Sequence, residues 1–258
     1  MTKVDAIKKV MEDNKGIVSW TILYNQIEKY YPSIRATKEW EAGLRGVLYR
    51  EIRNHKNFKK VGLSLYALLD YQEEELKEIQ ENPIRMHSFM EGVCVEMGNF
   101  LKLDTYSADP KASYNNVLLS DLTTLRTIPN FTYKEILDTS KKIDVLWFNP
   151  KGFIFPKRAI EIVDSISTLE PALQRTLQLL EFNLDFYILL KEKDLQKAFK
   201  KLEKEPYKRI KERYKIKSYT AILDIYHNPI AHMHDDFLHV KTFLIESLKH
   251  SRLFLFYR

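Results

Sequence analysis

KKIDVLWFNPKGFIFPKRAIEIVDS, residues 141–165, is the stretch on which the fold of this chain turns. Ile143–Phe148 alternates like a strand, Asn149-Pro150-Lys151-Gly152 supplies turn residues, and Arg158–Val163 returns as a second strand. This hairpin brings two carboxylates onto neighbouring strands, Asp144 and, 17 residues later, Glu161. Carboxylates converging at the open end of a hairpin, with a carbonyl such as that of Ile162, offer the hard oxygen ligands preferred by Mg²⁺ or Mn²⁺. Acids also occur at strand ends for no chemical purpose. Two positions on from Glu161, on the same face of an ideal strand, stands Val163, which neither ligates a metal nor orients water. Asp164 is expected on the opposite face unless a bulge re-aims it. Lys142 beside Asp144, or Lys157 before the second strand, is the nearest amine; surface solubility accounts for both equally well.

Downstream, Thr168 is expected to cap a helix with Pro171 in its first turn and Leu173, Leu177 and Leu180 beneath. Arg175 on that helix is placed either to meet a phosphate or to pair with Glu170 or Glu181. Phe186–Leu190 reads as a short apolar strand, 193–205 as a charged helix, and Ser218 as the cap of another helix ending near Asn228-Pro229. Residues 191–217 hold 12 Lys+Arg against 5 Asp+Glu, a run suited to backbone phosphate contact or simply to a solvated face. His227, His232, His234 and His239 cluster in sequence, but the spacing of His232 and His234 points them apart on a helix, so a zinc site is not expected. Upstream, 84–101 reads as a helix carrying His87, one turn before Glu91, together with Glu96 and the lone Cys94, expected to be a buried small hydrophobe. The loop after it contains Tyr106, Asp109 and Pro110, and 116–126 is open between helix and loop.

Residues 1–72 read as a separate module. Helices are expected over 3–13, from a Ser19 cap to Tyr30 (stripe Trp20, Leu23, Ile27, Tyr30), and over 38–54 from a Thr37 cap (stripe Leu44, Val47, Leu48, Ile52). Two short strands, Phe58–Val61 and Leu65–Leu69, turn at Gly62. The module carries 13 Lys+Arg against 8 Asp+Glu, so most of the chain's net +6 sits here. Arg45, Tyr49 and Arg53, at i, i+4 and i+8, are expected to form an outward stripe beside Arg50, with Lys59 and Lys60 on the hairpin as phosphate contacts. Residues 73–83 form an acidic helical connector. The second domain is 84–258, ending in a helical extension and the apolar run Leu253–Tyr257, suited to core or interface.

The 258 residues are 45% hydrophobic and 29% charged, the make-up of a folded protein with room for one large core or two smaller ones. One cysteine excludes an internal disulfide and a thiolate zinc cluster. The opening MTKVDAIKKVMEDNKG lacks a signal-peptide core, and no segment approaches 18 uninterrupted apolar residues, so a cytoplasmic protein with no membrane partner is expected.

Three helices followed by a β-hairpin, closed by Gly62, Tyr66 and Leu68, resemble the winged-helix modules fused to restriction enzymes and chromatin factors. Helix, hairpin, helix, strand, helix over roughly 86–205 resembles the PD-(D/E)xK nucleases. The closest likeness is to members reading Ile-Asp-Val-Ile-Trp-Phe where this chain has Ile-Asp-Val-Leu-Trp-Phe at 143–148. They read Glu-Val-Glu-His-Thr-Thr where it has Glu-Ile-Val-Asp-Ser-Ile at 161–166. The resemblance implies an α/β chain: a winged-helix domain, then a restriction-endonuclease-like α/β/α domain. It makes Asp144 and Glu161 the motif acids and metal ligands, Glu91 or Glu96 the helical acid, and Arg175 a neighbour of the site. Lys142 or Lys157 is the candidate stand-in for the motif lysine, whose position is Val163 here. It further implies double-stranded DNA as partner, Mg²⁺ or Mn²⁺ as cofactor, and two symmetric copies to cut both strands. A DNA-binding regulator on a degenerate nuclease fold, or a protein-interaction adaptor, are the alternatives.

Overall fold

The computed structural model describes residues 1–73, 79 and 82–239. Most of the acidic connector expected over 73–83, and the run Leu253–Tyr257, lie outside them. Among the described residues no helix is long and apolar enough to cross a membrane.

Helix α1 (Lys3–Asp13) starts at a capping box: Thr2 Oγ1 accepts from Asp5 N–H at 3.1 Å and the Asp5 carboxylate accepts from Thr2 N–H at 3.0 Å. Strand β1 (Ile17–Ser19), unforeseen because three residues are too few to show a period, leads into α2 (Trp20–Gln26). Ser19 caps α2 as expected, accepting from Ile22 N–H at 3.2 Å, but the helix tightens into a 3₁₀ turn over Ile27–Lys29 before Tyr30. Helix α3 (Trp40–Arg53) begins later than the expected Thr37 cap, because Thr37 closes a 3₁₀ turn begun by Pro32 and no side chain caps the helix. Strands β2 (Phe58–Lys60) and β3 (Leu65–Leu68) follow, and β1 completes an antiparallel sheet ordered β1-β3-β2.

Helix α4 (Pro83–Phe100) opens on Asn82, whose Oδ1 accepts from Ile84 and Arg85 N–H. After it come β4 (Asp104–Ser107), a ribbon of β5 (Ser113–Tyr114) and β6 (Val117–Leu118), and short helices α5 (Leu119–Leu122) and α6 (Lys134–Ser140). The hairpin is β7 (Val145–Phe148) and β8 (Pro156–Val163). Then α7 (Leu169–Leu177), β9 (Asp185–Leu190), α8 (Leu195–Leu202), β10 (Tyr214–Ser218) and α9 (Tyr219–His227) alternate. Thr168 stands at the N-cap position of α7 as expected, but its hydroxyl bonds back to the Ser165 carbonyl and does not cap the helix; Ser218 caps α9 as expected.

One mixed sheet, ordered β10-β9-β8-β7-β4, organises this region. β4–β7 and β7–β8 are antiparallel, β8–β9 and β9–β10 parallel. Helices cover both faces. Val145, Trp147, Ile160, Ile162, Tyr187 and Leu189 pack with α4 and α9, in an apolar cluster continuous with the interior of the N-terminal module. Leu146, Phe148, Ala159, Val163, Ile188 and Leu190 pack with α6, α7 and α8.

Helix α4 lies flat on the sheet because Gly98 has no side chain: an added Cβ would sit 2.5 Å from Thr105 Cγ2 and 2.7 Å from the Trp147 indole nitrogen. Gly98→Ala should therefore cost about 1–3 kcal/mol in urea unfolding. Gly46→Ala, with nothing within 4 Å of the added carbon on α3, should instead gain about 0.5–1 kcal/mol. A Gly98→Ala protein as stable as wild type would contradict this packing.

Candidate active site

Asp144 immediately precedes β7, and the pairing of Val145 with Ile160 sets it against Glu161 on β8. Its Oδ2 accepts from Ile162 N–H at 2.6 Å, pinning the carboxylate across the strand ends. From the other side, α4 delivers His87 and Glu91, one helical turn apart. Ligand atoms of His87, Glu91 and Asp144 all lie within 4.8 Å of one another.

These acids sit in a dry corner. Glu91 is 1% exposed; its Oε1 has only a long 3.4 Å bond from Ser107 Oγ, and its Oε2 is buried with no partner. Burial, reinforced by the Asp144 charge, pushes Glu91 up to about 8. Burial also lifts Asp144 above the usual carboxylate range. Glu161 is fully buried and stands well above that range because of burial and the neighbouring Asp144 carboxyl. Arg175 on α7 opposes this: its Nε donates to Glu161 Oε1 at 2.8 Å and its Nη2 to Oε2. The pairing is neither of the two expected from sequence, Glu170 or Glu181. Burial alone would lower His87, but its bond to Asp164 and the charges of Asp144 and Glu91 raise it to about 9.

Asp164 does face away from Val163, and that is its use. On the α4 side of the sheet its Oδ2 lies 2.8 Å from His87 Nδ1, and its Oδ1 accepts from Tyr219 Oη at 3.2 Å. His87 Nε2 is thereby turned toward Asp144 Oδ1, at 3.9 Å. Val163 is 2% exposed, in the core against α7 and α8.

Other expected site residues lie elsewhere. Glu96 is five residues beyond Glu91, well round the helix, and accepts from Ser64 N–H (2.7 Å), Ser64 Oγ (2.8 Å), Tyr114 Oη (3.1 Å) and Tyr226 Oη. It joins α4 to the β2–β3 turn, not to Asp144. Lys142 is exposed in the turn before β7, and no carboxylate among the described residues lies within ion-pair distance of it. The outward stripe on α3 is split. Arg45 donates to Tyr24 Oη at 2.7 Å, and Tyr49 packs on Trp20 and Tyr66, because an aromatic box between α2, α3 and β3 draws them in. Arg50, Arg53 and Lys60 are exposed; Lys59 is held by the Tyr71 carbonyl at 2.7 Å and Glu73 at 3.4 Å. The late histidines do not converge: His232 pairs with Asp224 at 2.9 Å, and among the described residues His87–Glu91–Asp144 is the one such cluster.

A family model, the Type II restriction enzyme NmeDI C-terminal domain, matches residues 68–241. The chain belongs to this family. No curated protein and no solved structure matches the chain. The matched span contains every residue of the buried cluster, together with Glu161 and Arg175. Restriction-enzyme family membership and a His/Glu/Asp cluster with the chemistry of a divalent-cation site support a nuclease-type function in general.

The metal-free cluster makes stability depend on pH. Glu91 at about 8 and His87 at about 9 hold protons that the unfolded chain releases near 4.5 and 6.5. Both raised values therefore give stability that is lost as pH climbs toward those folded values. In EDTA, unfolding free energy should fall by on the order of 3 kcal/mol from about pH 5 to about pH 8. Glu91→Gln should flatten most of that slope; an equal slope in the variant would show that Glu91 is not the buried proton holder.

Proposed function

We propose that this protein is a divalent-metal-dependent DNA endonuclease of restriction type that hydrolyses phosphodiester bonds in duplex DNA. The observation that carries the reading is the cluster of His87, Glu91 and Asp144, in which Glu91 Oε2 is buried with no partner. A buried polar atom without a partner is costly, and a cation at this point satisfies it. The donors fit such an ion: two hard carboxylates and an imidazole whose Nδ1 is occupied by Asp164, the carboxylate–histidine arrangement that orients ligating histidines. A nitrogen in the set favours Mn²⁺ over Mg²⁺. When bound, the ion lowers the pKa of a coordinated water and neutralises charge at the phosphate.

Glu161 has a second role in this reading. Its carboxylate fixes Arg175 through two of the five guanidinium N–H groups, leaving three to donate to a phosphate oxygen. Arg175 thus supplies the positive charge that Val163 cannot. Residues 1–72 act as the winged-helix reader, with Arg50, Arg53 and Lys60 toward DNA, and 84–258 as the nuclease domain; two copies together would cut both strands. The competing reading, a non-catalytic DNA-binding regulator, is favoured by Val163 and by the engagement of Glu161 with Arg175.

Wild type should bind Mn²⁺ and cut a pool of modified and unmodified duplexes. Asp144→Asn and Glu91→Gln should each weaken Mn²⁺ binding, read by electron paramagnetic resonance, at least about tenfold and abolish cutting. Arg175→Gln should keep Mn²⁺ yet lower cutting by about 10²-fold or more. No duplex cut and no Mn²⁺ bound by wild type would leave the regulator reading.

A further inference from the structure

Beyond the buried cluster, the strongest concentration of charge with a shape to it lies on α8 and the turn before it. Lys197 and Lys200 lie on α8, Lys193 in the 3₁₀ turn before it and Lys204 two residues past its end, and all four line the clefts beside it. The opposite side of the helix is buried through Ala198 and Leu202. Two adjoining clefts run beside these lysines. The first is lined by Asp164, Ser165, Ile166, Lys193, Asp194 and Lys197. The second shares Ile166 and Lys197 with it and continues past Leu169, Lys200 and Lys204. At about 260 and 250 Å³ they are smaller, more open and more cationic than an enclosed small-molecule pocket.

The furrow starts at the site already described, since Asp164 both lines it and holds His87 at 2.8 Å. The acids facing it are already engaged. Asp164 bonds to His87 and Tyr219, Asp194 pairs with Lys197 at 3.3 Å, and Glu170 pairs with Lys201. Among the described residues, Lys193, Lys200 and Lys204 have no carboxylate within ion-pair distance. Helix stability accounts for Lys200 in the last turn but not for Lys193 and Lys197, which flank the N-terminal end of α8, where the macrodipole disfavours cations and Asp194 offsets one of them.

We infer that this furrow is a track for the DNA backbone, in which Lys193, Lys197, Lys200 and Lys204 contact successive phosphates of a strand leaving the site. It rests on the nuclease reading and adds a second contact surface for the duplex, separate from α3. The lysines flank the whole of α8, whose eight residues rise about 12 Å.

The test is duplex binding by fluorescence anisotropy in EDTA, where no cutting intervenes, with the full chain across a range of NaCl. The Lys193→Gln/Lys200→Gln/Lys204→Gln variant should keep its Mn²⁺ affinity and its thermal midpoint. Its slope of log K against log salt should be shallower by about 2–3, with binding at low salt weakened more than tenfold. Arg50→Gln/Arg53→Gln is the parallel variant on the other surface. An unchanged slope in the lysine variant, with wild type binding DNA, would overturn the track and leave the nuclease reading standing. Absence of salt-dependent duplex binding by wild type would overturn both.

Discussion

Two buried carboxylates, Glu91 and Glu161, and the part-buried Asp144 share one corner of the fold, and much of the local architecture answers that expense. Ionised acids in a dry site repel one another and lose hydration, so each must find a proton, a cation or oriented N–H donors. Asp144 takes the Ile162 amide, Glu161 takes the Arg175 guanidinium, and Glu91, with one long bond from Ser107, is raised by its burial. His87 is positioned by Asp164 and faces both acids it does not fully neutralise. Replacing these groups with apolar residues would cost such a core little.

Helix α4 is the member that makes this corner possible, and it works on two sides. One side carries His87 and Glu91 to the sheet, while Gly98 lets its end approach β4 and β7 without a side chain between. The other side presents Glu96 to the N-terminal module. That carboxylate, fully buried, gathers Ser64, Tyr114 and Tyr226, and Gly62 leaves the space it needs, since an added Cβ would lie 2.3 Å from Glu96 Oε2. Ser19 Oγ on the Asp121 carbonyl (2.9 Å) and Tyr71 Oη on that of Asn115 (3.1 Å) add further ties. Among the described residues, the basic module and the acids are therefore joined by α4, by these two bonds and by a shared core.

Arg158 shows the same economy without an anion. Its guanidinium lies 4.9–5.5 Å from the rings of Tyr187, Trp147 and Phe237 and donates to the carbonyls of Asp236, Phe237 and His239. With Lys217 holding Asp235 and Asp236, it organises the segment after α9. The histidines there follow that backbone instead of converging on a metal.

Local pattern was enough to read the helices at 3–13 and 84–101, the β7–β8 hairpin, the caps at Ser19 and Ser218, and the proximity of His87 to Glu91, because each depends on neighbours within a turn or a strand. Short β1, β4 and β10 were illegible: unlike the hairpin strands β2, β3 and β7, they pair with strands far along the chain and have no turn beside them to mark the pairing. The same limit governs the site. The hairpin spacing showed that Asp144 and Glu161 would be neighbours. Only the packing of α4 decided that Glu91 and not Glu96 meets Asp144, since both are acids on one helix and differ in which face is covered. Only the seating of α7 decided that Arg175 pairs with Glu161. Sequence determines which residues share a strand or a helix face, through periods of two and 3.6. Which buried charges meet is decided by tertiary packing, because an unpaired charge in a dry interior selects its partner by distance in space.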